Sequence, residues 1–526
     1  MTTEAKRGFI RICANYTRLI STIVLGLLVV PLLLEAVGDE GWSLIALLGS
    51  TIGLASMMQE LVLSSLIREL GAAHHSDDPN DFRRIYNTSM AITSGLAIIA
   101  SVLFLIILLC LPLFDIPENL MVAAQWLVIT RGVETFFILL LAAPFNMYKV
   151  SERMVAYNAW LIIRRLCYVF AACWVLLGQQ STDPGTRVSQ YAIISTLIYL
   201  TALFTSVGIL LFFDKRLIPK PKYINAKSFK SILQIGGWNG AATAATTSYR
   251  RLAEILMNLS FGLAGNLILG LAIQLTDSVR RLTMGMTDGL DAVSARFSVT
   301  KDKSAIKSLL HHSTRLHAFV TFPLSAGILV LAEPALRLWL GKQLSDPERD
   351  IPIAVLLIQI MTIGMAARAI SDCWLRILYG SGHVKRYAKI IIAGGFIFPL
   401  LFFLFKYILP TDQKITAVCW AFSAVLLIIH GGLVPLFSAK AVGLRYHQFY
   451  TPLILPLIFA ALCSPILFIA RGRQESYEIV WIIACVGTYA LIYTGLCIAF
   501  VMDRAERDRF SKAVIRRLPF QKPLNN

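Results

Sequence analysis

The sequence predicts an all-α polytopic membrane protein with about fourteen transmembrane helices, and three observations lead there. Hydrophobic residues make up 56% of the 526-residue chain, charged residues only 15%, and mean hydropathy is +0.67. Such values exclude a soluble globular domain and a disordered chain. Apolar runs of spanning length, about 20 residues, recur along the whole chain. Lys and Arg outside those runs fall heavily on alternate connections, which is the mark of a fixed orientation.

The runs cover roughly 14–36, 42–66, 88–113, 120–145, 156–178, 189–213 and 233–260 in the first part of the chain. They continue over roughly 264–287, 316–338, 352–379, 388–409, 415–437, 450–470 and 479–502. Counting Arg18 and Lys389 with the ends they flank, one face carries 32 Lys and Arg and the other 6. By the positive-inside rule both termini lie in the cytoplasm. That topogenic charge accounts for the net +18 and the pI near 9.6, and no aromatic-plus-basic motif argues for nucleic acid. The first run is too long for a cleaved signal, and the nine cysteines lie in or beside runs without a C-x-x-C pair. Neither a disulfide framework nor a zinc site is expected, and no Walker motif is present.

Every connection is short, so the chemistry must happen within the bilayer or at its faces. The two halves look related at an offset of 224 residues. The turn holding Gly38 and Gly41 answers the turn holding Gly262 and Gly265, and basic segments at Phe82–Ser89 and Ile306–Ser313 also correspond. The division read from this is an N-terminal six-helix bundle at 1–218 and a C-terminal one at 219–440. Two further helices occupy 441–502, and a basic cytoplasmic tail with an amphipathic helical pattern occupies 503–526. An even number of intervening spans makes the repeat parallel, the arrangement of two bundles that rock about a central site.

Arginine inside the runs is the most informative feature. An ionised arginine near the bilayer centre costs about 2.5–3.5 kcal/mol on the lenient insertion scale. Arg131, Arg164, Arg165, Arg250, Arg251, Arg280, Arg281, Arg368 and Arg376 all sit within runs, against the acids Glu134, Glu254, Asp277 and Asp372 in the same five segments. One-to-one pairing neutralises at most four of the nine. The rest need water, backbone carbonyls or a ligand, and arginine's planar fork suits phosphate oxygens. Arg131, Arg250, Arg251, Arg280, Arg281, Arg368 and Arg376 are therefore the candidate residues for an anion-binding lumen. Arg164, Arg165 and Arg376 lie close enough to the inner surface to snorkel. Arg368, Asp372 and Arg376 share one helix face, with Asp372 placed to bridge both arginines. The four acids are candidates for charge pairing or for coupling a proton or sodium ion. No other cofactor and no metal is expected, since His74-His75 and His311-His312 lack ligands at metal spacing. Gly236, Gly237 and Gly240 begin a stretch of tiny and hydroxylated residues. Tight helix packing is its ordinary meaning; a helix that bends as gates exchange is the functional one. Gly380-Ser381-Gly382-His383 reads as a turn. Gln59, Asn146, Asn239 and Gln274 are polar positions suited to sugar selection.

Three stretches carry a family resemblance: Val30-Pro31 through Ala46, Gly237-Trp238-Asn239 with the arginine helix and Phe261-Gly262, and Ala335-Leu-Arg-Leu-Trp-Leu-Gly341. Together with the span count, they make the chain resemble the polysaccharide (O-antigen repeat-unit) flippases of the multidrug/oligosaccharidyl-lipid/polysaccharide exporter superfamily. The resemblance implies two six-helix bundles facing each other as a V and alternating access. It also implies a cationic lumen and a groove for a lipid tail beside the last two helices. The implied cargo is a polyprenyl-pyrophosphate-linked oligosaccharide, moved to the outer leaflet of a bacterial inner membrane for lipopolysaccharide or other surface polymer. The implied setting is a monomer among membrane lipids, working with polysaccharide polymerase and chain-length machinery. A drug antiporter of the same superfamily would want a lumen of carboxylates and aromatics, whereas here arginine dominates. A peptidoglycan lipid precursor flippase remains an alternative, although the arginines fall differently. An enzyme would need larger outer loops.

Overall fold

The computed structural model describes residues 3–74, 79–114, 116–151, 153–178, 183–287, 290–299, 302–471, 479–502 and 507. The expected amphipathic tail at 503–526 lies outside the described residues apart from position 507, as do the side chains of Gln59 and Asn239.

Sixteen α-helices run through the described residues, with no strand among them. In order they are α1 (Thr3–His74), α2 (Pro79–Cys110), α3 (Glu118–Leu140), α4 (Ala142–Val150), α5 (Met154–Gly178) and α6 (Pro184–Phe213). There follow α7 (Ala226–Met284), α8 (Leu290–Val299), α9 (Lys303–Leu340), α10 (Pro347–Gly380) and α11 (Val384–Ile408). The last are α12 (Ala417–Leu426), α13 (Val434–Val442), α14 (Thr451–Cys463), α15 (Pro465–Arg471) and α16 (Ile479–Phe500). A π-helical turn, Leu427–Leu433, joins α12 to α13.

Twelve helical segments are long and apolar enough to cross a membrane, against about fourteen expected. The difference has a physical origin in α1 and α7, each of which takes up two apolar runs. Gly38 (φ 74°, ψ 177°) interrupts α1 and Gly262 (φ 67°, ψ −164°) interrupts α7. Both conformations belong to a region only glycine enters readily. At each the helix folds back on itself. Leu25 and Gly49 line one cavity, although a straight helix would hold them about 36 Å apart. Arg250 and Asp277 form an ion pair, although an unbroken α7 would separate them by about 40 Å. The two glycines stand 224 residues apart, the offset of the repeat read from the sequence. The Gly380–His383 segment is the expected turn, with Gly382 at φ 78°.

The largest apolar core is built by α7, α9, α10, α11, α12 and α13, with Val30 and Leu34 of α1 reaching into it. A second joins α1, α2, α3, α5 and α6 around Leu44, Leu47, Leu120 and Ala171. A third gathers the end of α1 with α2, α4, α5 and α6. Helices α14, α15 and α16 form a small cluster of their own, through Leu467, Tyr489 and Tyr493, against Val330 of α9. Large apolar side chains such as Ile98, Phe212, Phe396, Leu400 and Leu491 are exposed. Outward greasy surface on this scale is what a bilayer solvates, and it would aggregate in water. The Asp302 carboxylate starts α9 by accepting from the Ala305 amide (2.9 Å) and the Ser304 hydroxyl (2.7 Å). Those bonds hold its carboxyl below the usual range.

Candidate substrate cavity and ion-pair network

A cavity of about 480 Å³ opens between the two arms of α1 and helices α3, α5, α6 and α7. Arg131 (α3), Arg165 (α5) and Arg251 (α7) line it together with Trp42, Tyr168 and Tyr191. The fold-back at Gly38 makes this possible, because it sets Leu25, Gly26 and Val29 opposite Trp42, Ile45 and Gly49. Among the described residues the lining has no carboxylate. Cations, aromatic faces and apolar walls meet there, which suits an anion carrying sugar or lipid.

Arg131 is held from several sides. Its guanidinium pairs with Glu134 one turn along α3 and reaches Ser195 of α6 at 3.3 Å. It lies over the Tyr168 ring at 4.9 Å and the Tyr191 ring at 6.0 Å. The Tyr168 hydroxyl donates to the other oxygen of Glu134. Tyr168 and Tyr191 thus position the cation as well as lining the cavity. Arg251 donates to the Gly49 carbonyl at 3.1 Å and pairs with Glu254 at 3.4 Å. A C-terminal-half arginine is in this way tied to the second arm of α1. Arg165 is exposed, and forms no ion pair among the described residues.

Behind the cavity the remaining charges form a chain. Arg250 pairs with Glu254 (3.3 Å) on its own arm and with Asp277 across the fold of α7. Arg281 reaches Asp277 at 3.4 Å, and its guanidinium comes to about the edge of Gly26, which lines the cavity. Arg280 pairs with Asp372 of α10 at 2.8 Å, and Arg368 pairs with the same carboxylate. The side chains of Arg250, Arg280 and Arg281 are 31%, 33% and 30% exposed, whereas that of Arg368 is 8% exposed. Five arginines share three acids by bridging while Arg131 takes Glu134, so the one-to-one count was the wrong arithmetic. The outcome for charge is unchanged, because a carboxylate between two guanidiniums still leaves a positive excess.

One expected pairing is corrected. Asp372 bridges Arg368 and Arg280, not Arg368 and Arg376. A fold-back that brings Arg280 against α10 supplies a nearer partner, and Arg376 is left exposed one turn further on. Arg164 stacks on the Phe145 and Tyr199 rings, at 5.1 and 4.6 Å. The cavity therefore gathers Arg131 and Arg251 from the expected set and adds Arg165. Arg250, Arg280, Arg281 and Arg368 form the adjoining network and do not line this cavity. The chain is helical through Gly236, Gly237 and Gly240, and the break in α7 comes at Gly262. The packing around Gly236 lies outside the described residues. Asn146 turns its amide to the Ala142 carbonyl, and Gln274 donates to the Gly26 carbonyl at 2.9 Å.

Sequence reasoning missed His430. It sits fully buried in the π-helical turn, with Nδ1 3.0 Å from the Ser371 hydroxyl, which in turn meets Arg368. A histidine followed by two glycines inside an apolar run was the available signal. That turn also borders a second, larger cavity of about 1140 Å³ between α9, α10, the π-turn and α14. Its walls are almost wholly apolar, with Trp374, Trp420, Tyr446 and Tyr450 among them.

Comparison with known proteins bears on the fold. A family described as "Polysaccharide biosynthesis protein" matches residues 152–347. The uncharacterized membrane protein EpsK of Bacillus subtilis (strain 168) is 20% identical over 484 residues, spanning 88% of this chain and 90% of EpsK. Among solved structures, the lipid II flippase MurJ in an inward closed conformation superposes with TM-score 0.64 at 14% identity. The match covers 97% of this chain and 100% of that one. An inward-facing multidrug resistance MATE family transporter of the MOP superfamily gives TM-score 0.61 at 10% identity, covering 87% and 96%. The chain is a multi-pass membrane protein with the fold shared by MOP-superfamily flippases and transporters. Its similarities run to a family of polysaccharide biosynthesis proteins and to that transport fold.

Proposed function

We propose that the protein flips a polyprenyl-pyrophosphate-linked oligosaccharide from the inner to the outer leaflet of the plasma membrane by alternating access of its two halves. The supporting observation is the cavity lined by Arg131, Arg165 and Arg251, cations drawn from both halves with no carboxylate among the described lining residues. The match to a family of polysaccharide biosynthesis proteins over residues 152–347 supports that cargo class. A diphosphate carries about two negative charges, and taking it through hydrocarbon unaided is prohibitive. Guanidinium forks replace its lost hydration, and Trp42, Tyr168 and Tyr191 offer faces for sugar rings. The apolar cavity bordered by α14 is the corresponding place for the lipid tail. In this reading both termini face the cytoplasm and the interior is negative. Outward movement of two charges then gains roughly 4–5 kcal/mol per 100 mV.

Glu134, Glu254, Asp277 and Asp372 are the groups through which a proton or sodium ion would reset the carrier. The protein acts as a monomer, delivering cargo to polymerase and chain-length machinery. The test replaces Arg131, Arg165 and Arg251 one at a time by Gln and scores surface polysaccharide in a strain lacking the protein. Normal polymer from all three variants overturns the reading.

A second reading, flipping of a peptidoglycan lipid precursor, is favoured by the superposition on the lipid II flippase over nearly the whole chain. Rescue of cells depleted of their own lipid II flippase would establish it. Failure to rescue, with surface polymer restored in the other strain, leaves the oligosaccharide.

A further inference from the structure

A third cavity, of about 430 Å³, lies at the start of α9 where it meets the short 3-10 turn Tyr446–Phe449 and the first residue of α14. Lys307, His311 and His312 line it from α9, and His447, Gln448 and Thr451 from the other side. Among the described residues no carboxylate lines it. Asp302, two residues before the lining Ser304, is turned to cap its own helix. Arg315 donates to Nδ1 of His312 at 3.0 Å. An arginine can only donate, so the neutral His312 ring carries its hydrogen on Nε2 and is itself a donor. Lys303 packs against Gly443, where a Cβ would meet its side chain at 3.3 Å, and this brings a further cation to the same corner.

Three histidines invite a metal reading. Among the described residues, however, no group of three His, Cys, Asp or Glu is arranged to hold a metal ion. A pocket of lysine, imidazole, amide and hydroxyl groups without a carboxylate has the composition of an anion site. Its position makes the anion specific. The apolar cavity lies along the same seam between α9 and α14, walled by Phe322 and Leu329 from one helix and Leu453 and Leu457 from the other. His311 and Phe322 are about 16 Å apart along α9, which is within the length of an acyl or prenyl chain. A molecule with a phosphoryl head in the polar pocket can therefore lay its tail in the trough.

We infer that Lys307, His311, His312 and His447 form a phosphoryl-binding site for the headgroup of an anionic lipid, at the end of the apolar seam and apart from the arginine cavity. This rests on the proposed function only in taking that end as the cytoplasmic face. The site would hold a lipid phosphate at the inner leaflet, either a resident phospholipid or the carrier before its head enters the lumen.

The test uses full-length protein in nanodiscs and the triple variant Lys307→Gln/His311→Asn/His447→Asn, with the melting temperature of each recorded. Retention of phosphatidylglycerol over phosphatidylcholine is read by native mass spectrometry. A separate arm titrates inorganic phosphate by ³¹P line broadening. Wild type should retain phosphatidylglycerol about tenfold more than the variant, as loss of several charge-assisted donors implies. Lys307→Arg in place of Lys307→Gln should restore part of that retention. Phosphate binding that disappears in the variant, with lipid retention unchanged, keeps the phosphoryl site and assigns it a soluble ligand. Equal lipid retention and equal phosphate binding in wild type and a folded variant overturn the inference. If the triple variant melts more than a few degrees lower, Lys307→Gln alone carries the comparison under the same criteria. Arg251→Gln should leave this retention untouched, so failure of the lumen reading and failure of the headgroup site give different patterns.

Discussion

Arg131 and Arg368 are both arginines inside membrane helices with a carboxylate one turn on, yet their surroundings differ. Among the described residues Arg131 shares Glu134 with no other cation. Its flat faces rest on Tyr168 and Tyr191, and it borders an open cavity. Arg368 is buried and divides Asp372 with Arg280 from α7. Behind it stand Ser371 and His430. The first arrangement presents a guanidinium to a ligand. The second fastens α7 to α10. A charged residue in an apolar run thus has two fates, and whether it borders the cavity distinguishes them: Arg251 shares Glu254 with Arg250 and still lines it.

Removing the acid breaks this comparison most directly. Asp372→Ala strands two cations, one of them buried, and should cost about 3–5 kcal/mol. Glu134→Ala should cost clearly less, because Arg131 keeps its aromatic faces. Thermal melts in nanodiscs read both, and equal shifts would erase the distinction. The fold-back glycines come next. Gly262→Ala and Gly38→Ala each force a side chain into a backbone region that costs about 1–3 kcal/mol. Nothing lies within 4 Å of a Cβ at Gly38, so its whole loss is conformational. A Gly38→Ala protein as stable as wild type would mean that the turn relaxes. Tyr168→Phe removes one hydroxyl that donates to Glu134 and should cost about 1 kcal/mol, with the ring's contact to Arg131 kept. Arg165→Gln sits at the small end for stability, within about 0.5 kcal/mol. Its export should nevertheless fall sharply, and that separation between melt and transport sharpens the contrast between a ligand-facing cation and a fastening one.

The helices were legible because hydrophobic length is a strong and local signal. Arg250, Glu254, Asp277 and Asp372 stood out for the same reason, as charges in an apolar setting. Partnership was less legible. Helical spacing places Asp372 near both Arg368 and Arg376, and only the fold-back at Gly262 brings Arg280 to it instead. Arg165 looked like a residue that snorkels to the surface, and its neighbours across the cavity come from helices distant in sequence. Tyr168, Tyr191 and His430 are ordinary residues of apolar helices until tertiary packing sets them beside a guanidinium. Gly38 and Gly262 were readable as turns by their repeat, but not as single-residue breaks within continuous helices.

Those breaks also bear on how the chain enters its membrane. The connector around Gly262, from Ile255 to Ile268, has no ionisable side chain, and the one around Gly38 has acids but no lysine or arginine. A tip without basic groups would meet little electrostatic resistance in crossing the bilayer. Two arms joined by one glycine can then go in together as a preformed pair, each satisfying its own backbone hydrogen bonds. The Arg250–Asp277 contact can close as the pair inserts, so neither charge need ever face lipid alone.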